Sequence, residues 1–255
     1  MRIGCTSYVY PAGLVPNVRR LAGLTDDIEL LVFEGADGAV LPTGAEVSQL
    51  LEISQAAAGR GRGFTYTVHL PLDLDVCAGE RDFREFSLDR TEEIMELAAP
   101  LRPRGFVLHL PGGEGGGDEW TCAAMTAARR LRSRAEIFIE NLAYPFEKLK
   151  PVIEGSDAML CLDIGHALAA GDDWKGILRG FADRTAAVHL YARDPAGSGR
   201  HLGLHRAPPG FVSDVFGALA SCGYENVVTI ELFSEEDFFI SKDIVDREAR
   251  GWAQR

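Results

Sequence analysis

The chain has 255 residues, 46% of them hydrophobic and 25% charged, an ordinary globular composition with length enough for one α/β barrel or two small domains. Its formal net charge of −12 repels a polyanionic backbone, which argues against DNA or RNA as the main partner. No apolar run approaches the roughly 18–20 residues of a membrane span, and no charged segment leads into a long apolar stretch at the N-terminus. The expectation is a soluble, cytoplasmic protein with no membrane partner.

Short β-rich apolar runs recur along the chain at residues 2–7, 28–34, 64–70, 105–110, 136–140, 159–163, 186–190 and 227–231, giving eight candidate strands. Between them lie stretches with apolar residues at three- and four-residue spacing, such as 46–58, 83–97 and 211–221, which predict helices. Strict strand and helix alternation predicts a parallel sheet. Several runs are apolar throughout rather than alternating, as expected when helices cover one face and a barrel interior the other. Eight such units in this length predict one closed (β/α)8 barrel over residues 1–255. A nucleotide-binding open sheet loses ground, because no G-x-G-x-x-G follows the first strand and no G-x-x-x-x-G-K-[ST] occurs. The five cysteines, Cys5, Cys77, Cys122, Cys161 and Cys222, are scattered without a C-x-x-C pair and read as reduced, mostly packed residues.

The chemistry-bearing residues sit where these strands end. His69, His109, Glu140, Asp163 and His189 lie at or just before the ends of successive runs, and Glu231 ends the eighth. Parallel strands in a barrel place all carboxyl ends on one rim, where barrel enzymes keep their catalytic groups. Imidazole and carboxylate together suit Zn2+, Mn2+ or Fe2+, and one carboxylate can bridge two cations. His166 follows Asp163 by three residues, and Arg200, His201, His205 and Arg206 crowd the loop after strand seven, so all 6 histidines fall at or near this rim.

A single His at a strand end is more often a hydrogen-bonded core or surface group than a ligand. Carboxylates inside apolar runs are harder to dismiss, because an unpaired buried carboxylate costs several kcal/mol. That weighs for Glu140, Asp163 and Glu231 as a set. Glu34 ends strand two and reads either as a base or ligand-supporting group or as the start of a solvated loop. Asn141 either orients a ligand or substrate oxygen or closes its turn, and Tyr8 either lines the pocket or packs.

The ordered motifs VHLP, VLHLPG, IENL, LDIGH, VHL and IEL resemble the xylose isomerase-like TIM barrel superfamily, which also contains endonuclease IV-type enzymes. That resemblance covers nearly the whole chain. It implies metal ligation by Glu140, Asp163, His189 and Glu231, and the endonuclease IV pattern adds His69 and His109. A third ion would need His166 and a D-x-H pair, but the corresponding stretch reads Gly199, Arg200, His201, so its aspartate is missing unless another group such as Asp194 substitutes. Two ions, Zn2+ or Mn2+, are therefore expected, and a third only with that substitution.

A narrower set of blocks, TSYVYPAGLVPNVRRLA, DDIELLVFE, TYTVHLPLDLD, ENLAYPFE, CLDIGH and ELFSEEDF, resembles the cobamide-remodelling phosphodiesterase family. The resemblance implies hydrolysis of the nucleotide-loop phosphodiester of a cobamide to cobinamide phosphate and an α-ribazole-type nucleoside. A corrinoid small molecule is then the expected partner. In that reading Glu140 and Glu231 hold the ions that activate water, Glu34 is the candidate base, and Arg200 or His201 offsets phosphate charge. Three rivals stay open: a sugar isomerase or epimerase using the same four strand-end ligands, a repair endonuclease disfavoured by charge, and a corrinoid carrier without catalysis. The sequence leaves the oligomeric state open.

Overall fold

In the computed structural model eight parallel strands close into a barrel: β1 (Arg2–Thr6), β2 (Asp27–Leu31), β3 (Thr65–His69), β4 (Phe106–Leu108), β5 (Ile137–Glu140), β6 (Met159–Asp163), β7 (Thr185–Leu190) and β8 (Val227–Ile230). Each strand pairs with its sequence neighbours, and β8 returns to β1. The structure describes all residues except 36–37, 59–62, 114, 195, 198 and 253–255, and leaves undescribed the side chains of 34–40 and 252. This is the expected (β/α)8 barrel.

Helices alternate with the strands and cover the barrel's outer face: α1 (Leu14–Leu21), α2 (Gly44–Ala58), α3 (Arg81–Ala98), α4 (Asp118–Arg132), α5 (Phe146–Ser156), α6 (Ile164–Ala170), α7 (Trp174–Gly180), α8 (Phe211–Ser221) and α9 (Glu235–Trp252). Their starts carry local signals. At the head of α2 the Thr43 hydroxyl accepts from the Glu46 N–H at 3.3 Å, and Glu46 Oε2 accepts from the Thr43 N–H at 2.9 Å. That reciprocal pair satisfies donors the first turn leaves orphaned. The main apolar core lies between wall and helices, including Leu50, Ile94, Leu131, Leu149 and Leu219.

Inside the barrel the register fixes which residues meet. The pairs Leu31↔His69, His69↔Val107, Val107↔Phe138, Asp163↔His189 and His189↔Thr229 put these side chains on one inward face. Val107, Phe138, Cys161 and Ala187 form a separate apolar cluster there, a floor beneath the polar mouth. Gly105 makes room for it, since a Cβ at this position would run into the Phe138 ring. The floor shields the groups above it from water, which raises the cost of leaving any of them unpaired.

The largest displaced boundary is the end of strand two, and strand four also ends two residues early, at Leu108. The barrel ladder ends at the hydrogen bond from the Val32 N–H to the His69 carbonyl, 3.3 Å. Phe33–Gly35 then turns back and pairs antiparallel with Gly38–Val40. Glu34 therefore does not end a barrel strand, because its backbone is committed to this outer ribbon; its side chain lies outside the described residues. Among the described residues no helix is long and apolar enough to cross a membrane.

Candidate metal centre

Glu140, the last residue of β5 and 1% exposed, is the hub of the mouth. Its Oε2 lies 3.0 Å from His109 Nε2 and 3.3 Å from His69 Nε2, and the two rings meet edge to face at 4.9 Å. His69 Nδ1 sits 2.9 Å from the Leu70 carbonyl, which can only accept, so Nδ1 donates and Nε2 is the atom presented to the site. On its other side Glu140 Oε2 is 3.5 Å from His189 Nδ1, while its Oε1 is 3.8 Å from His166 Nε2.

Asp163 ends β6 and caps α6. Its Oδ1 accepts from the His166 N–H at 2.6 Å and from the Tyr191 hydroxyl at 3.1 Å. Asn141 clamps the same corner, accepting from the Asp163 N–H at 2.8 Å and donating to the Asp163 carbonyl at 2.9 Å. Asn141 thus fixes the backbone at Asp163, where β6 passes into α6. Glu231, just past β8, places Oε2 at 3.2 Å from His189 Nδ1 and 3.5 Å from His201 Nδ1.

The charges push one another apart. Burial opposes ionisation of Glu140, but the His109 and His189 imidazoles hold its carboxyl well below the usual range. Burial, with Glu140 and Glu231 adding repulsion, drives Asp163 well above it. Burial disfavours the charged form of His69, yet the hydrogen bond and charge of Glu140 outweigh it and push the imidazole up to about 9. His166 goes the other way, lowered by burial. Opposed shifts in one cleft make it a candidate functional site.

Among the described residues, four trios of ligand atoms lie within 4.8 Å of one another: His69, His109, Glu140; Glu140, Asp163, His166; Glu29, His189, Glu231; and Glu140, Cys161, His189. Three buried atoms at their centre, Asp163 Oδ2, His189 Nδ1 and Glu231 Oε2, have no hydrogen-bond partner. A buried acceptor without a donor costs about 1–3 kcal/mol, and a cation satisfies several acceptors at once. The donor set therefore fits divalent ions, with Glu140 shared between trios.

The remaining sequence-derived candidates separate. His201 belongs to none of these trios; its ring stacks on Tyr191 at 3.7 Å and 9° and its Nδ1 faces the Glu231 carbonyl at 3.2 Å. Asp194, the possible substitute ligand, uses Oδ1 to accept from the Ala196 N–H at 2.9 Å, closing its own turn. Every trio among the described residues contains Glu140 or His189, and none includes His201. Arg200 is exposed beside the mouth, and Tyr8 leans on Phe33 with ring centroids 5.8 Å apart. His205 faces Asp237 at 3.7 Å.

Two participants escape a reading of strand ends. Glu29 lies mid-strand in β2, fully buried, with Oε2 3.0 Å from His189 Nε2. A carboxylate inside an apolar run was the available signal. Tyr191 follows β7 and lies over the first turn of α6, where a Cβ at Gly165 would collide with its hydroxyl. Glycine there is what allows the hydroxyl to reach Asp163, a contact no local pattern announces.

A closed β/α barrel whose carboxyl mouth gathers imidazoles and carboxylates defines the class of this protein. Residues 25–255 match the family model described as xylose isomerase-like TIM barrel, and the chain belongs to that family. Searched against curated proteins, the sequence gives no match. Its structure is similar to that of a D-tagatose 3-epimerase-like protein, with TM-score 0.81, 19% identity, and coverage of 100% of this chain and 99% of that one. It is also similar to endonuclease IV from Thermus thermophilus, with TM-score 0.73, 21% identity, and coverage of 100% and 99%. A third similar structure is the IolI protein with a bound zinc atom, with TM-score 0.68, 15% identity, and coverage of 99% and 96%.

Proposed function

We propose that the protein is a metal-dependent phosphodiesterase that hydrolyses the nucleotide-loop phosphodiester of cobamides, giving cobinamide phosphate and an α-ribazole-type nucleoside. The observation that carries the metal-dependent hydrolase part is the pair of imidazoles, His69 and His109, converging on the same oxygen of Glu140 whose carboxylate also borders His189. A single-metal isomerase needs four strand-end ligands; two further histidines on the shared carboxylate suit a second ion. The corrinoid substrate rests on the sequence resemblance, and the net charge of −12 favours a discrete small substrate over DNA.

Glu140, Asp163, His189 and Glu231 would hold one Zn2+ or Mn2+, and His69, His109 and Glu140 another, with His166 beside both. Bound divalent ions supply an activated water at neutral pH and compensate charge on the phosphate oxygens. The chain's own part is to fix those ligands and exclude water below them with the apolar floor. His201, braced against Tyr191 and bordered by the half-exposed Phe233 ring at 5.7 Å, is set at the edge of the mouth to meet a phosphate oxygen. Arg200 is proposed for the same charge. Glu34 is proposed as the base, with Glu34→Gln expected to stop turnover while leaving metal uptake intact.

The test is incubation of purified protein with adenosylcobalamin, with chelator and with added Zn2+ or Mn2+, and product identification by mass spectrometry. Cobinamide phosphate and α-ribazole that vanish with chelator and in Glu140→Ala are expected. Intact cobalamin under every metal condition, with ketose epimerisation instead, would replace this reading by the sugar epimerase one.

A further inference from the structure

Glu29 and His189 come from strands that are not neighbours in the wall, since β1 and β8 stand between β2 and β7. Their contact therefore crosses the barrel interior, joining residues 160 apart in sequence at 3.0 Å, with both side chains fully buried. A carboxylate oxygen at that distance calls for a donor, so His189 carries a proton on Nε2. In the neutral ring that leaves the lone pair on Nδ1. Nδ1 points the other way, into the mouth, 3.2 Å from Glu231 Oε2, 3.5 Å from Glu140 Oε2 and 3.9 Å from Asp163 Oδ2, and hydrogen-bonds to none of them.

Without the Glu29 acceptor the Nε2–H tautomer loses its carboxylate partner. A proton on Nδ1 would then find Glu231 within reach, and the nitrogen facing the mouth would no longer be a ligand. Glu29 Oε1 makes no hydrogen bond, so this carboxylate's fixed contact is His189.

We propose that Glu29 is a positioning residue of the metal centre, holding His189 in its Nε2–H tautomer so that Nδ1 is the atom that ligates. The proposal rests on reading this mouth as a metal site and is independent of which substrate it serves. A bare packing role would instead make the pair a strut between β2 and β7, whose loss lowers stability and leaves intrinsic metal affinity alone.

The experiment compares wild type, Glu29→Gln and Glu29→Ala by Zn2+ titration against a competing chelator, by circular dichroism of the metal-free proteins, and by 15N imidazole spectra. Partners behind metal-bound histidines typically contribute 10–100-fold in affinity, so Glu29→Ala is expected to weaken Zn2+ binding by about that factor with its fold intact. Glu29→Gln, whose side-chain oxygen accepts the same proton, recovers most of the loss, and the wild-type spectrum places the His189 proton on Nε2. Unchanged Zn2+ affinity in Glu29→Ala, or a His189 proton on Nδ1 in the Zn2+-loaded protein, overturns the proposal. Should the alanine variant not fold, the glutamine variant and the tautomer spectrum decide. Glu29-dependent Zn2+ binding by a protein that leaves cobalamin intact overturns the phosphodiesterase reading alone; Zn2+ binding indifferent to Glu29, with cobalamin cleaved, overturns this one alone.

Discussion

His109 Nε2 stands 3.0 Å from Glu140 Oε2, the oxygen that His69 also approaches at 3.3 Å, so one carboxylate oxygen takes the charge of two imidazoles from two preceding strands. Removing that oxygen's charge should dismantle both groups of ligands together. Glu140→Gln is expected to lower metal occupancy at every site at once, with affinity reduced by more than about 100-fold, beyond what loss of a supporting partner alone would cost. Metal analysis after dialysis checks this. Retention of one ion per chain would show that Glu140 is not shared.

Protons compete for the same ligands. His69, raised to about 9 by Glu140 against the effect of burial, is protonated at neutral pH in the metal-free protein. Zn2+ uptake near pH 7 must therefore release protons, and observed affinity should rise with pH until about 9, by about tenfold per unit for each proton displaced. Calorimetry in buffers of different ionisation enthalpy reads the proton count directly. A binding heat independent of buffer would contradict a protonated His69.

Most of the candidate site was legible in the sequence because each candidate ligand interrupts an apolar run at or near its end, where a barrel turns its side chains to one rim. His69, His109, Glu140, Asp163, His189 and Glu231 are all brought together as that rule requires. The strand boundary, by contrast, is not legible here, since residues 32–34 continue a β pattern although the ladder stops at Val32 and Phe33–Gly35 pairs instead with Gly38–Val40. A change of pairing partner leaves no trace in side-chain type. Glu29 and Tyr191 were missed for a different reason. Their roles depend on contacts across the barrel interior and over a helix turn, which register and a glycine decide rather than local spacing.

Tyr191 makes two contacts that can be separated. Its hydroxyl donates to Asp163 Oδ1, while its ring carries His201. Tyr191→Phe removes only the first, and a hydrogen bond to a carboxylate is worth about 1.5–3 kcal/mol, so metal affinity should fall roughly 10–100-fold with His201 still ordered. Tyr191→Ala removes both and should raise the KM for a phosphodiester substrate as well. If the phenylalanine variant binds metal as wild type does, Asp163 is held by Asn141 and the α6 cap alone.

Asp27 sets the pH dependence of the fold itself. It is fully buried on β2, where Thr65 donates to its Oδ2 at 2.5 Å, and burial raises its carboxyl to about 7 despite that hydrogen bond. In the unfolded chain the same group titrates near 4. The folded state therefore holds a proton that the unfolded state has lost across this interval. Stability from Asp27 is fully present below about 4 and disappears as pH rises through about 7, a loss of up to about 4 kcal/mol for a shift of this size. Asp27→Asn cannot ionise and should flatten the profile, leaving the variant as stable as wild type or more so at pH 8 and no better at pH 4. Urea unfolding of the metal-free proteins at the two pH values measures the difference, and a variant equally destabilised at both would show that the retained proton of Asp27 does not set the pH dependence.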